Sequence, residues 1–150
     1  CKRWLLKENL VGNLGKGSTS INVILYRREI MKQSVNVLGN ALQECSMDPL
    51  TGWYRDGCCN TDNSDRGLHV VCSIVTEAFL NFAKSKGNDL MTPAPQFNFP
   101  GLKPGDRWCV CARTWLDAVN NGVACPVNLE ATHEEALNII PLELLEMHAE

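Results

Sequence analysis

The stretch His69-Val70-Val71-Cys72-Ser73-Ile74-Val75, followed by Thr76, the run Glu77 to Lys86 and then Gly87, decides the fold. Three valines and an isoleucine in seven residues read as a strand, because branched side chains fit a pleated surface. Thr76 is placed to cap a helix over Glu77 to Lys86 with its hydroxyl. Phe79, Phe82 and Ala83 fall on one helical face, and Gly87 stands where a left-handed C-cap is expected. The same unit recurs downstream. Arg107 to Cys111 reads as a strand and Ala112 to Asn121 as a helix with Trp115, Leu116 and Val119 inward, closed by Gly122.

Between the two units, Met91 to Gly105 holds Pro93, Pro95, Pro100 and Pro104, which excludes a helix interior or a central strand. It reads as an ordered loop that Phe97 and Phe99 pin to the core. Upstream, Val35 to Leu38 is a short strand or a packed segment, Asp48 to Gly52 a turn, Trp53 to Arg55 extended, and Asp56 to Gly67 a polar loop. Downstream, Val127 to Leu129 reads as a short strand. The Thr132-x-x-Glu135 spacing predicts a capping box opening a helix, and Pro141 starts a last helix through Leu142, Leu145 and Met147. Strands are short and connections long, so the reading is α+β: a small two-layer sandwich with long ordered loops.

A chain of 150 residues suits one domain, and residues 35–150 are read as that domain. Residues 1–34 differ in character. The first thirty carry six basic and two acidic side chains and a Gly/Ser/Thr-rich run, whereas the other 120 carry eight basic and fifteen acidic. The segment reads as a basic N-terminal extension: a leader, a tail or an artefact, with organellar targeting as one expectation. The acidic body argues against nucleic acid and against an anionic membrane surface as partners. No apolar run reaches the length of about 18 residues that a spanning helix needs. The expected compartment is the cytoplasm.

Several motifs stand in order: Gly57-Cys58-Cys59-x-Thr61; Asp65-x-Gly67-x-His69-x-Val71-Cys72; Gly87-Asn88-Asp89-Leu90; Phe99-Pro100-Gly101-Leu102-x-Pro104-Gly105-Asp106-x-Trp108-Cys109-x-Cys111; and Ala131-Thr132-His133. In these the chain resembles a bacterial and plant family known only as domain of unknown function 2237, over about Val35 to Ala149. The resemblance implies a small two-layer α+β fold and no activity. Asp62 departs from the Gly expected there, and Cys125 from a Pro, so Cys125 is not expected in a shared site.

Seven cysteines lie in residues 35–150. An odd number without a visible secretory signal argues against a disulfide framework and for thiols or metal ligands in a reducing compartment. Zinc is one reading, with Cys58, Cys59, Cys109 and Cys111 as ligands. Cys109 and Cys111 share a strand face. His69 and Cys72, three apart on a strand, are expected on opposite faces, with Cys72 beside Val70 and Ile74 in the core. A thiol redox site at Cys58 and Cys59, tuned by Arg55 or Arg66, is a further reading. Buried Cys as a plain hydrophobe stands against both.

Polar residues at loop and strand ends offer another chemistry. His69, Asp106, Arg107 and His133 are the acid–base candidates, with Asp65, Arg66, Asp89 and Trp108 as further ligand-binding candidates. The preferred function is a small-molecule enzyme or ligand-binding domain whose site is framed by loops 56–67 and 91–106. A thiol- or zinc-dependent protein and a non-catalytic interaction module are the alternatives. The P-loop, zinc-protease, EF-hand and nucleophile-elbow motifs are all incomplete here.

Overall fold

The computed structural model describes residues 33–150. The readings of residues 1–30 therefore lie outside the described residues. Strand β1 (His69–Ile74) leads through Thr76 into helix α1 (Glu77–Ser85); strand β2 (Arg107–Cys111) runs directly into helix α2 (Ala112–Asn120). Helix α3 (Leu142–Met147) closes the chain, and short 3-10 turns occupy Pro95–Phe97, Leu129–Ala131 and Glu134–Asn138. The architecture is α+β: among the described residues, one antiparallel two-stranded sheet and three helices in a small single domain.

Local chemistry explains most boundaries. The Thr76 side chain accepts from the Phe79 amide at 3.2 Å, and Gly87 follows α1 at φ +87°, as a left-handed stop requires. Helices α1 and α2 bury Phe79, Leu80, Ala83 and Ala112, Trp115, Ala118 against the valine-rich face of the sheet. Trp115 is fully enclosed, and its indole N–H donates to the Cys125 carbonyl at 3.1 Å, so the large ring is buried without an orphaned donor.

The ladder contains the feature that positions the site. His69 pairs with Cys111, Val71 with Val110, and Cys72 with Cys109, so the register shifts between His69 and Val71. Three steps on β1 match two on β2: a β-bulge, with Val70 as the extra residue. Val70, Val71 and Val110 all enter the main core. The strict alternation expected for β1 therefore fails. His69 and Cys72 share the face of Cys111 and Cys109 instead of lying on opposite sides, because the bulge absorbs one residue.

Other expectations change for tertiary reasons. Trp53 to Arg55 is a turn, with Arg55 at φ +53°, not an extended segment. Thr132 caps no helix; its hydroxyl accepts from the Cys72 amide and donates to the Asn128 carbonyl. His133 takes the capping position, its Nδ1 accepting from the Glu135 amide at 3.0 Å, and the turn that follows is 3-10. Val35 to Leu38 and Val127 to Leu129 form isolated bridges only, Val127 meeting Ser73 and Ala149. Phe99 packs on Trp108 with ring centroids 5.3 Å apart, but Phe97 stays 71% exposed and pins nothing. Among the described residues no helix is long and apolar enough to cross a membrane.

Candidate functional site

The exposed edge of β2 and the end of the ladder that carries His69 open on a cleft of about 340 Å³. Its walls include Trp53, Arg55, His69, Asn88, Trp108 and Cys111. The 52–55 turn forms one side and residues 88–90 the other. The loops expected to frame a site, 56–67 and 91–106, instead stand behind it: Asp65 holds His69 from the first, and Phe99 supports Trp108 from the second.

His69 is the most constrained polar group there. Its Nδ1 lies 2.7 Å from Oδ1 of Asp65, whose side chain is fully buried. The other Asp65 oxygen accepts from the Thr61 hydroxyl at 3.0 Å and from the His69 amide at 2.9 Å. Both carboxylate oxygens are thus satisfied, and the imidazole is fixed through one nitrogen, leaving Nε2 as the ring nitrogen for other chemistry. The Trp53 ring stacks on the imidazole at 5.6 Å, 15° from parallel. Below the ring lies Gly67, where an added Cβ would stand 2.8 Å from His69 Cε1. A side chain at 67 would force the His69 ring to shift.

Opposite His69 in the ladder stands Cys111, a free and partly exposed thiol. Directly paired residues on one face have Cβ atoms about 4.5–5.5 Å apart, within reach of a thiol–imidazole contact. The Cys111 thiol also donates to the Gly67 carbonyl. Cys111 is the last residue of β2, directly before the first turn of α2. Arg55 completes the site: its guanidinium carbon lies 5.0 Å over the Trp108 ring, and its Nη1 donates to the Gly52 carbonyl at 3.1 Å. Gly52 must be glycine, at φ +104° with a Cβ position 2.3 Å from the Cys58 carbonyl oxygen.

Three further candidates lie elsewhere. Asp106 accepts from the Lys103 amide at 2.8 Å and so closes a turn; Arg107 pairs with Glu150 at 2.5 Å; His133 caps the 3-10 turn. Asp89 binds its own loop. The Thr92 hydroxyl and then the amides of Met91 and Thr92 hold its carboxyl below the ordinary carboxylate range. Arg66 is exposed and lines no part of the cleft. Trp53, which the sequence offers with Trp108 and Trp115 as the lining of an apolar ligand site, and Arg55, which it offers as a tuner of thiols, both reach this cleft, but nothing in a polar turn shows which neighbour it folds against.

The cysteines overturn the expectation of unpaired thiols. Cys45 is bonded to Cys72 and Cys59 to Cys109. An odd count accommodates two bridges and still leaves Cys111 and Cys125 as thiols. Cys58 has a partner of its own and is not a free thiol. Of the four sulfurs proposed together, Cys59 and Cys109 meet, whereas Cys58 and Cys111 stand outside that group; Cys45 joins it instead. Cys125 is enclosed, and burial raises its thiol to about 11.

Residues 35–149 match a family model described as "Uncharacterized protein conserved in bacteria (DUF2237)". No curated protein matches the chain.

Proposed function

The chain belongs to that family, and on this premise we propose that it is a small-molecule enzyme in which Cys111 is the nucleophile, His69 the base and Asp65 the positioning residue. The observation that carries this reading is one juxtaposition. A buried carboxylate orients an imidazole whose ladder partner is a free thiol, and both line one cleft. These are the parts of a cysteine–histidine–aspartate relay.

The chemistry follows from those parts. His69 Nε2 accepts the Cys111 proton as the sulfur attacks an electrophilic carbon, such as an acyl carbonyl. Asp65 stabilises the imidazolium through Nδ1–H. The leaving group takes that proton from His69; a water molecule, deprotonated by the same nitrogen, then attacks the thioester carbon, the C–S bond breaks to release the acyl group as a carboxylic acid, and the Cys111 sulfur takes the proton back from His69. Arg55, a cation over Trp108, suits a substrate carrying a carboxylate or phosphate. We place the protein in the cytoplasm or in an organelle reached through a basic leader, where Cys111 stays a thiol and the two disulfides are open to reduction. The acidic body leaves nucleic acid out of this reading.

The test uses 4-nitrophenyl acetate as the electrophile. Acetyl-enzyme should appear at Cys111 by peptide mass spectrometry, together with released 4-nitrophenolate, and His69→Ala should slow acylation at least tenfold. Equal acylation of the two proteins would sink the relay. A second reading, non-covalent capture of a small anion, is favoured by Arg55 over Trp108 and by Trp53 stacked on His69. It predicts ligand protection of Trp fluorescence that survives Cys111→Ser.

A further inference from the structure

We propose that Cys45, Cys59, Cys72 and Cys109 form, in the reduced protein, a four-thiolate site for zinc. The site adjoins the cleft, whose lining includes Cys109, but it does not rest on the reading of Cys111 and His69.

Three sulfurs from three chain segments, those of Cys45, Cys59 and Cys109, converge at one buried point, and the fourth, that of Cys72, is bonded to the first. Cys72 and Cys109 are direct partners at the centre of the ladder, and Cys45 and Cys59 come from two loops tied together by the Cys45 amide, which donates to the Gly57 carbonyl at 2.8 Å. All four residues are at most 5% exposed, and with Ala131 they make a cluster apart from the main core. The sulfurs of Cys45, Cys59 and Cys109 lie within 4.8 Å of one another, and that of Cys72 is bonded to Cys45. A tetrahedral zinc with Zn–S bonds of about 2.3 Å holds its sulfurs about 3.8 Å apart, so Cys45, Cys59 and Cys109 need only small rotations to close on a metal, and Cys72 joins them once its bond to Cys45 is opened. Two ligands stand on paired strands whose backbones are locked. The Thr132 hydroxyl accepts from the Cys72 amide, and the Thr51 hydroxyl accepts from the Cys109 amide. Such support preorganises ligands.

A strand–strand Cys72–Cys109 bridge would also satisfy the geometry of paired strands. Instead each strand cysteine bonds a loop cysteine, so the two bridges occupy the same small volume. The balance between states is simple. Two disulfides plus four electrons and four protons, supplied by two equivalents of a dithiol reductant, give four thiols. Those thiols bind one Zn²⁺ and release four protons. Oxidation by a peroxide reverses the sequence and expels the metal.

The experiment takes the full chain, purified anaerobically under a dithiol reductant and freed of metal. It adds Zn²⁺ alone, or Co²⁺ alone as a spectroscopic stand-in. Expected results are about one zinc per chain by elemental analysis, intense visible bands of tetrahedral cobalt thiolate, and release of the metal with return of two disulfides on adding hydrogen peroxide. Cys59→Ser and Cys72→Ser should each lower zinc occupancy at least tenfold, whereas Cys111→Ser and Cys125→Ser should keep it. If a serine variant fails to fold, the wild-type cobalt spectrum alone decides. A folded, reduced protein that binds no zinc overturns the site. So does a reduced protein that stays unfolded with zinc present, or zinc binding that persists in folded Cys59→Ser. Reduction that unfolds the chain, reversed by zinc, supports it.

Discussion

Two rungs of one ladder, a single turn of the pleat apart, have opposite environments. At Cys72 and Cys109 the sheet face is covered by two loops, and both residues are buried. At His69 and Cys111 the same face opens on a cleft that an imidazole held by Asp65 and a free thiol both line. The residue types are similar; the cover differs. Sulfur sealed among its own kind is shielded from reagents, while a free thiol at an open edge is accessible to them.

The contrast breaks most sharply under substitution. Cys109→Ser should act on the fold. Loop closure over the 50-residue separation of Cys59 and Cys109 corresponds to roughly 4 kcal/mol of stabilisation, and over the 27 residues between Cys45 and Cys72 to about 3.5 kcal/mol. Denaturant titration of the oxidised protein should show a loss of that order for either bridge. Cys111→Ser, in the same titration, should change stability by less than about 1 kcal/mol. Comparable losses at both rungs would erase the distinction.

At the open rung the expected effect is on reactivity. His69→Ala should slow iodoacetamide alkylation of Cys111 at least tenfold with little change in unfolding midpoint. Asp65→Asn should do the same, with partial rescue in Asp65→Glu, which keeps the carboxylate. Gly67→Ala adds a methyl group where the His69 ring already lies, and should give an intermediate loss together with a shifted His69 NMR signal. A normal spectrum in that variant would show that the ring has room to spare.

The smallest effects sharpen the picture. Arg55→Ala should raise KM for anionic esters a few-fold and leave neutral esters unaffected. Cys125 tests the sealed environment by pH. Its folded thiol, near 11, lies above the ordinary 9.0. A raised value means that the buried neutral form contributes stability fully below pH 9, and that this is lost as pH climbs towards 11. The loss is roughly 1.4 kcal/mol per pH unit across that window. Cys125→Ala should flatten stability between those values, as thermal melts would show.

Much was legible because it is local. Branched residues at 70–75, the Thr76 cap, Gly87 and the strand at 107–111 all act on near neighbours, and α1 and α2 follow as read. The motif order through Cys111 also placed the family correctly. His69, Asp65, Trp108 and Cys111 were among the residues singled out. Their grouping was not, since Asp106, Arg107 and His133 carry the same chemistry in sequence and spend it on a turn, an ion pair and a cap.

The sequence by itself determined the strand–helix units, the polar turns and the supply of sulfur, because propensity and capping operate within a few residues. Only the tertiary structure decided which face His69 occupies and which cysteines meet. One extra residue at Val70 reverses the alternation of β1, and a bulge is a property of two paired strands, invisible in either strand alone.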